Sequence, residues 1–232
     1  MTTGTGIRAR LRAELVTEIK RLAREQISRD GAPNLSLRAI ARDLGMVSSA
    51  IYRYFPSRDQ LLTELIIDSY DDVGRAVEVA DAAVPRDDLV GRWRAVAFGI
   101  RRWAIEHPAD YGLIFGTPVP GYVAPTDTIG PASRYTNVLI RLLVDIERSG
   151  AGPSPGPQPD DALASELEYL RRRLEFDVSD ELLLDGIAGW MNLIGAITLE
   201  LFGHLHNVID DKEVHYRALV DRIGRRIIRS YR

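Results

Sequence analysis

Between Ser48 and Arg58 the chain places two small hydroxyls, Ser48 and Ser49, ahead of Tyr52, Arg53 and Tyr54, and then Arg58. Small side chains at the start of a helix let its backbone approach another surface closely, where its first N–H groups favour a phosphate. Hydroxyl and guanidinium groups further along are donors for phosphate oxygens and base edges. The apolar residues in this stretch, Ile51 and Phe55, are four apart and anchor one face, leaving the donors on the other. The chemistry available is recognition of a nucleic-acid duplex by a short helix, roughly Ser48 to Phe55, that enters the major groove N-terminus first.

Covalent and metal chemistry find less support. The chain has no cysteine, which excludes disulfides, thiolate zinc sites and cysteine nucleophiles. It holds no Gly-x-Ser-x-Gly elbow, phosphate-binding glycine-rich loop or His-Glu-x-x-His pair. His204 and His206, with Asp210 and Asp211 nearby, diverge on a helix because they are only two apart. No enzyme activity, metal or cofactor is expected.

The elements that hold the donors follow from helical periodicity. Leu11, Leu15, Ile19 and Leu22 mark one face of a first helix ending near Asp30-Gly31. Leu37, Ile40, Ala41 and Leu44 mark a second, with Ser36 as N-cap and Gly45 to end it. After Pro56, Ser57 with Gln60 three residues on forms a capping-box pattern, opening a long helix with Leu61, Leu62, Leu65, Ile66 and Val73 inward. Arg58 sits in its first turn. Charge supports the division: the net charge of 232 residues is −3, yet residues 1–60 carry eleven Lys and Arg against six Asp and Glu. A basic module that meets a polyanion is joined to an acidic body that does not.

The stretch SLRAIARDLGMVSSAIYRYFPSRDQLL, Ser36 to Leu62, resembles the N-terminal DNA-binding region of the tetracycline-repressor (TetR) family, in which a pattern of the form lSlraIA, lGvs, alYrhFpsrdeLl recurs. Val47 stands where the family often places a capping serine or threonine, which moves the expected cap to Ser48. The resemblance implies that Arg38, Ser48, Ser49, Tyr52, Arg53, Tyr54 and Arg58 face DNA. Arg38 and Ser48 would read base edges, and Ser49, Tyr52, Tyr54 and Arg58 would hold phosphates. Arg8, Arg10 and Arg12 would form an arm over the backbone or minor groove.

Beyond Ser57 the resemblance is one of architecture. Helical patterns run through Asp87 to Glu106, Ser133 to Arg148, Asp161 to Leu174, Ser179 to Leu205 and Asp211 to Tyr231, with no strand alternation of useful length. The expected fold is all-α: an N-terminal three-helix helix-turn-helix domain over residues 1–57 and a C-terminal helical ligand-binding and dimerisation domain over 58–232. Gly150 to Asp161, rich in Pro and Gly, reads as an exposed loop. His107 to Pro125 interleaves aromatic and aliphatic residues with turn formers, so it either lines a cavity or packs over the core. Leu182 to Leu205 is apolar nearly all round, but Asp185 and Glu200 leave fourteen uncharged residues between them, short of the ~20 a membrane span needs. It is a helix buried on several sides, whose Gly186, Gly189, Gly195 and Ala196 allow close approach.

In the family the last two long helices pair with those of a second copy, and the two-fold dimer reads a palindromic operator in double-stranded DNA. A small-molecule effector in the C-terminal domain releases it. Candidate effector contacts are Trp93, Trp103, Tyr111, Phe115, Tyr122, Trp190 and Asn192. The expected protein is thus a cytoplasmic homodimeric transcriptional regulator, a repressor in the first instance; an activator or architectural DNA binder without effector is the alternative. With no signal-peptide pattern at the start of the chain, a cytoplasmic place is the simplest reading.

Overall fold

A computed structural model describes residues 3–154, 156–229 and 231; Pro155, inside the proline-rich stretch, lies outside them. Among the described residues the regular structure is entirely helical, as expected. The α-helices are α1 (Thr3–Asp30), α2 (Leu37–Asp43), α3 (Ser48–Ile51), α4 (Arg58–Ala82), α5 (Leu89–Glu106), α6 (Pro108–Phe115), α7 (Ile129–Arg148), α8 (Asp161–Leu174), α9 (Asp180–Leu201) and α10 (Lys212–Ile227).

The chain forms two compact units. The first comprises the residues up to Tyr70 with His107–Pro131; the second comprises Asp71–Glu106 with Ala132–Arg232. The compact units therefore do not divide at the boundary after Ser57 that the motif marks. The first turns of α4 bury Leu61, Leu62 and Leu65 in the same core as Ile19, Ile40 and Ile51, and Val119, from far along the chain, joins them. Each such side chain contributes about 1.5–3 kcal/mol by leaving water.

Local chemistry sets the starts and stops of the first unit. Ser36 Oγ accepts from the Ala39 N–H (3.3 Å), while the Ser36 N–H donates to Oε1 of the buried Gln26 (3.0 Å). Gly45 turns the chain at φ +65°, which only glycine adopts without strain. Ser57 Oγ caps α4 through the Gln60 N–H (3.1 Å). The face assigned to α1 needs correction: Leu11 is 59% exposed, because the helix starts at Thr3 and its first turns run beyond the core that Ile19 and Ala23 enter. Within His107 to Pro125 the part Pro108–Phe115 is helical, since Pro108 opens α6 at a position where its missing N–H costs nothing.

In the second unit α5, α9 and α10 pack on one another. The Trp93 indole N–H donates to the Val220 carbonyl (2.9 Å) and Tyr216 OH to that of Ala97 (3.0 Å). The glycines of α9 divide in use. A methyl group on Gly189 would lie 3.0 Å from Ile223 and one on Gly186 2.6 Å from Leu143, so these two admit helices of the same chain. A methyl group on Gly195 would meet nothing within 4 Å among the described residues beyond its own helix turn. Helix α9 is long and apolar enough to cross a membrane by length and composition alone. Its two internal carboxylates are both paired, Asp185 with Arg226 (2.8 Å) and Glu200 with Arg101 (2.7 Å). The start of the proline-rich connection is tied down, with the Arg229 N–H donating to the Ala151 carbonyl (2.8 Å).

After α10 the chain folds back so that Tyr231, 6% exposed, covers Gly224 and donates to the Asp221 carboxylate. Arg94 Nε also reaches both the Tyr231 oxygen (3.0 Å) and Asp221 (3.0 Å). Burial, and then the Asp221 carboxylate, pushes the phenol up to about 12. The hydrogen bond from Tyr231, with Arg94, holds Asp221 below the usual carboxylate range. A raised phenol stabilises the fold fully below its unfolded pKa of about 10, and that contribution fades as pH climbs towards 12. The depressed carboxylate acts oppositely, its contribution present above about pH 4 and lost below. The stability gap between wild type and Tyr231→Phe is thus expected to be about 1 kcal/mol on a plateau from about pH 5 to 9 and to close on both sides. Thermal denaturation of the pair across pH checks this, and a gap that widens above pH 10 would contradict it.

Candidate nucleic-acid interface

The short segment expected to read DNA is held by its two apolar residues, Ile51 at 0% exposure and Phe55 at 4%. It is shorter as an α-helix than the sequence pattern implies, spanning Ser48–Ile51 only. The chain then continues in tighter turns, with Arg53 N–H donating to the Ala50 carbonyl (3.2 Å) and Tyr54 N–H to that of Ile51 (2.9 Å). Phe55 N–H donates to the Ile51 carbonyl as in an α-turn (3.1 Å), which keeps these two side chains on the face that enters the core. The cap does not shift to Ser48: Val47 holds the N-cap position with no side-chain cap, so the first-turn N–H groups have no side chain competing for them.

Ser48, Ser49, Tyr52 and Arg53 are exposed together on this segment, and Arg38 is exposed on α2. Two of the other expected contacts are engaged within the protein. Tyr54 is half-buried, its ring under the Arg12 guanidinium at 5.0 Å, and Arg12 Nη2 donates to the Arg53 carbonyl (3.3 Å). Arg58 points back along its own unit: Nη2 donates to the carbonyls of Ala32 (3.0 Å) and Pro33 (3.2 Å), and Nη1 to Asp59 (3.1 Å). It binds the α1–α2 turn to the start of α4. Of the arginine arm, Arg10 pairs with Glu14 (2.8 Å) and Arg12 is occupied as described, while Arg8 is exposed.

Two positioning residues, Gln26 and Thr63, lie outside the expectations drawn from sequence, and a third, Arg12, is expected there only in an arm over DNA. Gln26 sits one turn from Leu22 on the apolar face of α1, a placement that marks a buried polar group. Arg12 and Thr63 carry no comparable signal, because the groups they tie in, Arg53 and Tyr122, are forty or more residues distant in sequence.

The seven residues proposed for an effector are divided between the units. Tyr111, Phe115 and Tyr122 belong to the first unit. There Tyr111 is fully buried against Phe115 (ring centroids 4.9 Å), and Tyr122 OH lies 2.9 Å from Thr63 Oγ1. Trp93 and Trp103 are buried in the second unit, where Trp190 is 37% exposed with its indole N–H on Tyr135 OH (3.2 Å). Asn192 is exposed, donates to the Ala188 carbonyl of its own helix (2.7 Å), and borders an open groove of about 370 Å³ with Met191, Leu199, His215 and Leu219. Among the described residues no three acidic or histidine side chains converge as a metal site would require.

Comparison with known proteins bears on the family. Residues 19–65 match the family model for bacterial regulatory proteins of the tetR family, and residues 93–223 match that for the tetracyclin repressor-like C-terminal domain. The HTH-type transcriptional regulator Rv1816 of Mycobacterium tuberculosis is 39% identical over 211 residues, covering 87% of each chain. Regulator Mb1846 of Mycobacterium bovis matches to the same extent. The crystal structure of the protein SCO4313 superposes with a TM-score of 0.77 at 34% identity, over 93% of this chain and 97% of its own.

Proposed function

The chain belongs to the TetR family of DNA-binding transcriptional regulators, and from that premise we propose that it is a cytoplasmic homodimeric repressor released from a palindromic operator by a small-molecule effector. The observation that carries the DNA part is the joint exposure of Ser48, Ser49, Tyr52 and Arg53 on one short segment whose other face is locked by Ile51 and Phe55. Arg38 beside it supplies a base-edge contact, Ser49 and Tyr52 hold phosphates, and the arm residue Arg8 reaches the backbone. Tyr54 and Arg58 contribute by fixing the segment.

A homodimer is supported by an exposed apolar face on the last two long helices: Met191 (55%), Leu199 (45%) and Phe202 (48%) at or just after α9, and Val214 (61%) on α10. The open space at Gly195 and the groove beside His215 and Leu219 suit close packing of a second copy. One reading segment covers only a half-site, so two-fold pairing fits a palindrome with half-sites about 34 Å, or a multiple of that, apart. An effector that moves the pair from 1:99 to 99:1 in favour of the released form must prefer that form by about 5.5 kcal/mol.

Selection of bound duplexes from random DNA at two salt concentrations, with light scattering for the mass in solution, tests the reading. A single palindrome and a two-chain mass are expected. Salt-labile binding without sequence preference would instead favour the architectural alternative, and a monomer at micromolar concentration would remove the two-fold argument.

A further inference from the structure

The segment following α6 does something the helix-turn-helix motif does not require. From Gly116 it crosses the first unit, inserts Val119 into the core shared by Ile51, Leu61 and Leu65, and turns at Gly121, whose φ of +76° favours glycine. The turn is closed by the Tyr122 N–H on the Val119 carbonyl (3.1 Å). Tyr122 then reaches Thr63 on α4 at 2.9 Å. Thr63 already donates its one hydroxyl proton to the Asp59 carbonyl (2.9 Å), so in this pair Tyr122 is the donor. The tie therefore has a direction, and Pro118 and Pro120 stiffen the chain that leads to it.

The same stretch is fastened at its other end. Asp110 on α6 accepts from Arg24 of α1 (2.9 Å) and from the Ser69 hydroxyl of α4 (2.8 Å). Asp59, whose carbonyl takes the Thr63 proton, lies next to Arg58, which grips the α1–α2 turn. The first turns of α4 are thereby held from both sides. Their buried leucines share a core with Ile51 and Phe55, so their register sets how the reading segment is presented.

We propose that Gly116–Tyr122 is a strap bracing the DNA-reading unit from outside its helix-turn-helix, with Val119 and Tyr122 as positioning residues for DNA binding through the tie to Thr63. The inference needs neither the effector nor the dimer. It makes operator affinity depend on a hydroxyl about seventy residues from the reading segment, through one neutral hydrogen bond whose loss is felt as about fivefold.

The test uses the full chain with Tyr122→Phe, Thr63→Val and the double variant, all at a temperature where each is folded. Affinity is measured for the duplex recovered by selection, alongside amide hydrogen exchange over residues 58–66 of the free protein. Each single variant should bind about fivefold more weakly, the double no more weakly than either, and exchange at the start of α4 should quicken in all three. Wild-type affinity in the single variants, or losses that multiply in the double, would overturn the strap. A wild type that selects no sequence would defeat the operator reading instead. The strap would then stand or fall on exchange: faster in Tyr122→Phe supports it, unchanged overturns it.

Discussion

Changing Tyr52 and Arg53 together to alanine is expected to lower affinity for the selected palindrome by about 100-fold or more while leaving the fold intact. Both side chains are exposed, Tyr52 by 40%, and the Arg53 group used internally is its carbonyl, which alanine keeps. Surface changes of this kind shift stability by about 0.5 kcal/mol or less. Each lost base or phosphate contact removes about 1–3 kcal/mol, and a two-fold dimer loses it at both half-sites. Fluorescence anisotropy at two salt concentrations separates the roles. A residue on phosphate reduces the steepness of the salt dependence, whereas one on a base edge relaxes the sequence preference at a fixed position. Binding within about threefold of wild type, by a protein with unchanged melting temperature, would mean the segment does not face DNA.

The sequence was most informative where a side chain meets its own neighbourhood. Ser36, Gly45 and Ser57 announce their roles because a cap or a positive φ is settled within four residues. The motif leads one to expect Arg58 to face DNA because position in a motif says which way a Cβ leaves the helix, not where six further atoms end. The carbonyls of Ala32 and Pro33 decide that, and they lie twenty-six and twenty-five residues back. Tyr111, Phe115 and Tyr122 follow the same rule on a larger scale. Their spacing marks them as apolar and ordered but cannot say which core takes them, and the compact unit they join is that of the reading helices. The shortness of α3 is hidden too, since Phe55 keeps an α-type bond to the Ile51 carbonyl (3.1 Å) and the spacing of four survives while the bonds between them tighten.

Helix α4 shows how the chain keeps one element aligned by charge. Along its first part, Lys20 reaches Glu64 (3.1 Å) and Asp68 (3.0 Å) and Arg24 reaches Asp68 (3.2 Å). In its second part Arg134 of α7 lies across Gly74, pairs with Asp71 (3.1 Å) and Glu78 (2.7 Å), and holds the Glu78 carboxyl below the usual range. These groups are partly exposed, so each pair adds little stability. Their value is positional, because bidentate arginines resist sliding of one helix on another.

The end of α4 is different, and substitution there carries the largest expected cost to stability. Arg92 is fully buried, although it lies four residues before Val96 and eight before Ile100 on what periodicity marks as the apolar stripe of α5. Its Nε donates to Asp81 (2.8 Å), and its Nη1 to Asp145 (2.9 Å) and the Arg86 carbonyl (3.2 Å). Nη2 is buried with no partner among the described residues. Asp81→Ala would leave a guanidinium that cannot lose its proton with one carboxylate, itself 30% exposed, to balance it. A loss of about 3–5 kcal/mol follows, or roughly 10 °C in melting temperature for a chain of this size. Arg86→Ala breaks two bonds of the same cluster, yet Arg86 is 58% exposed, and a loss of about 1 kcal/mol or less is expected. The distinguishing variant is Asp81→Ala with Arg92→Met, which removes the stranded charge and fills its space with an apolar chain. It should melt above Asp81→Ala alone, since the penalty belongs to the unpaired charge and not to the absence of the pair. If the double variant melts lower, the cluster is a net source of stability despite its unsatisfied nitrogen, and burial of Arg92 would have to be offset by bonds stronger than its geometry implies.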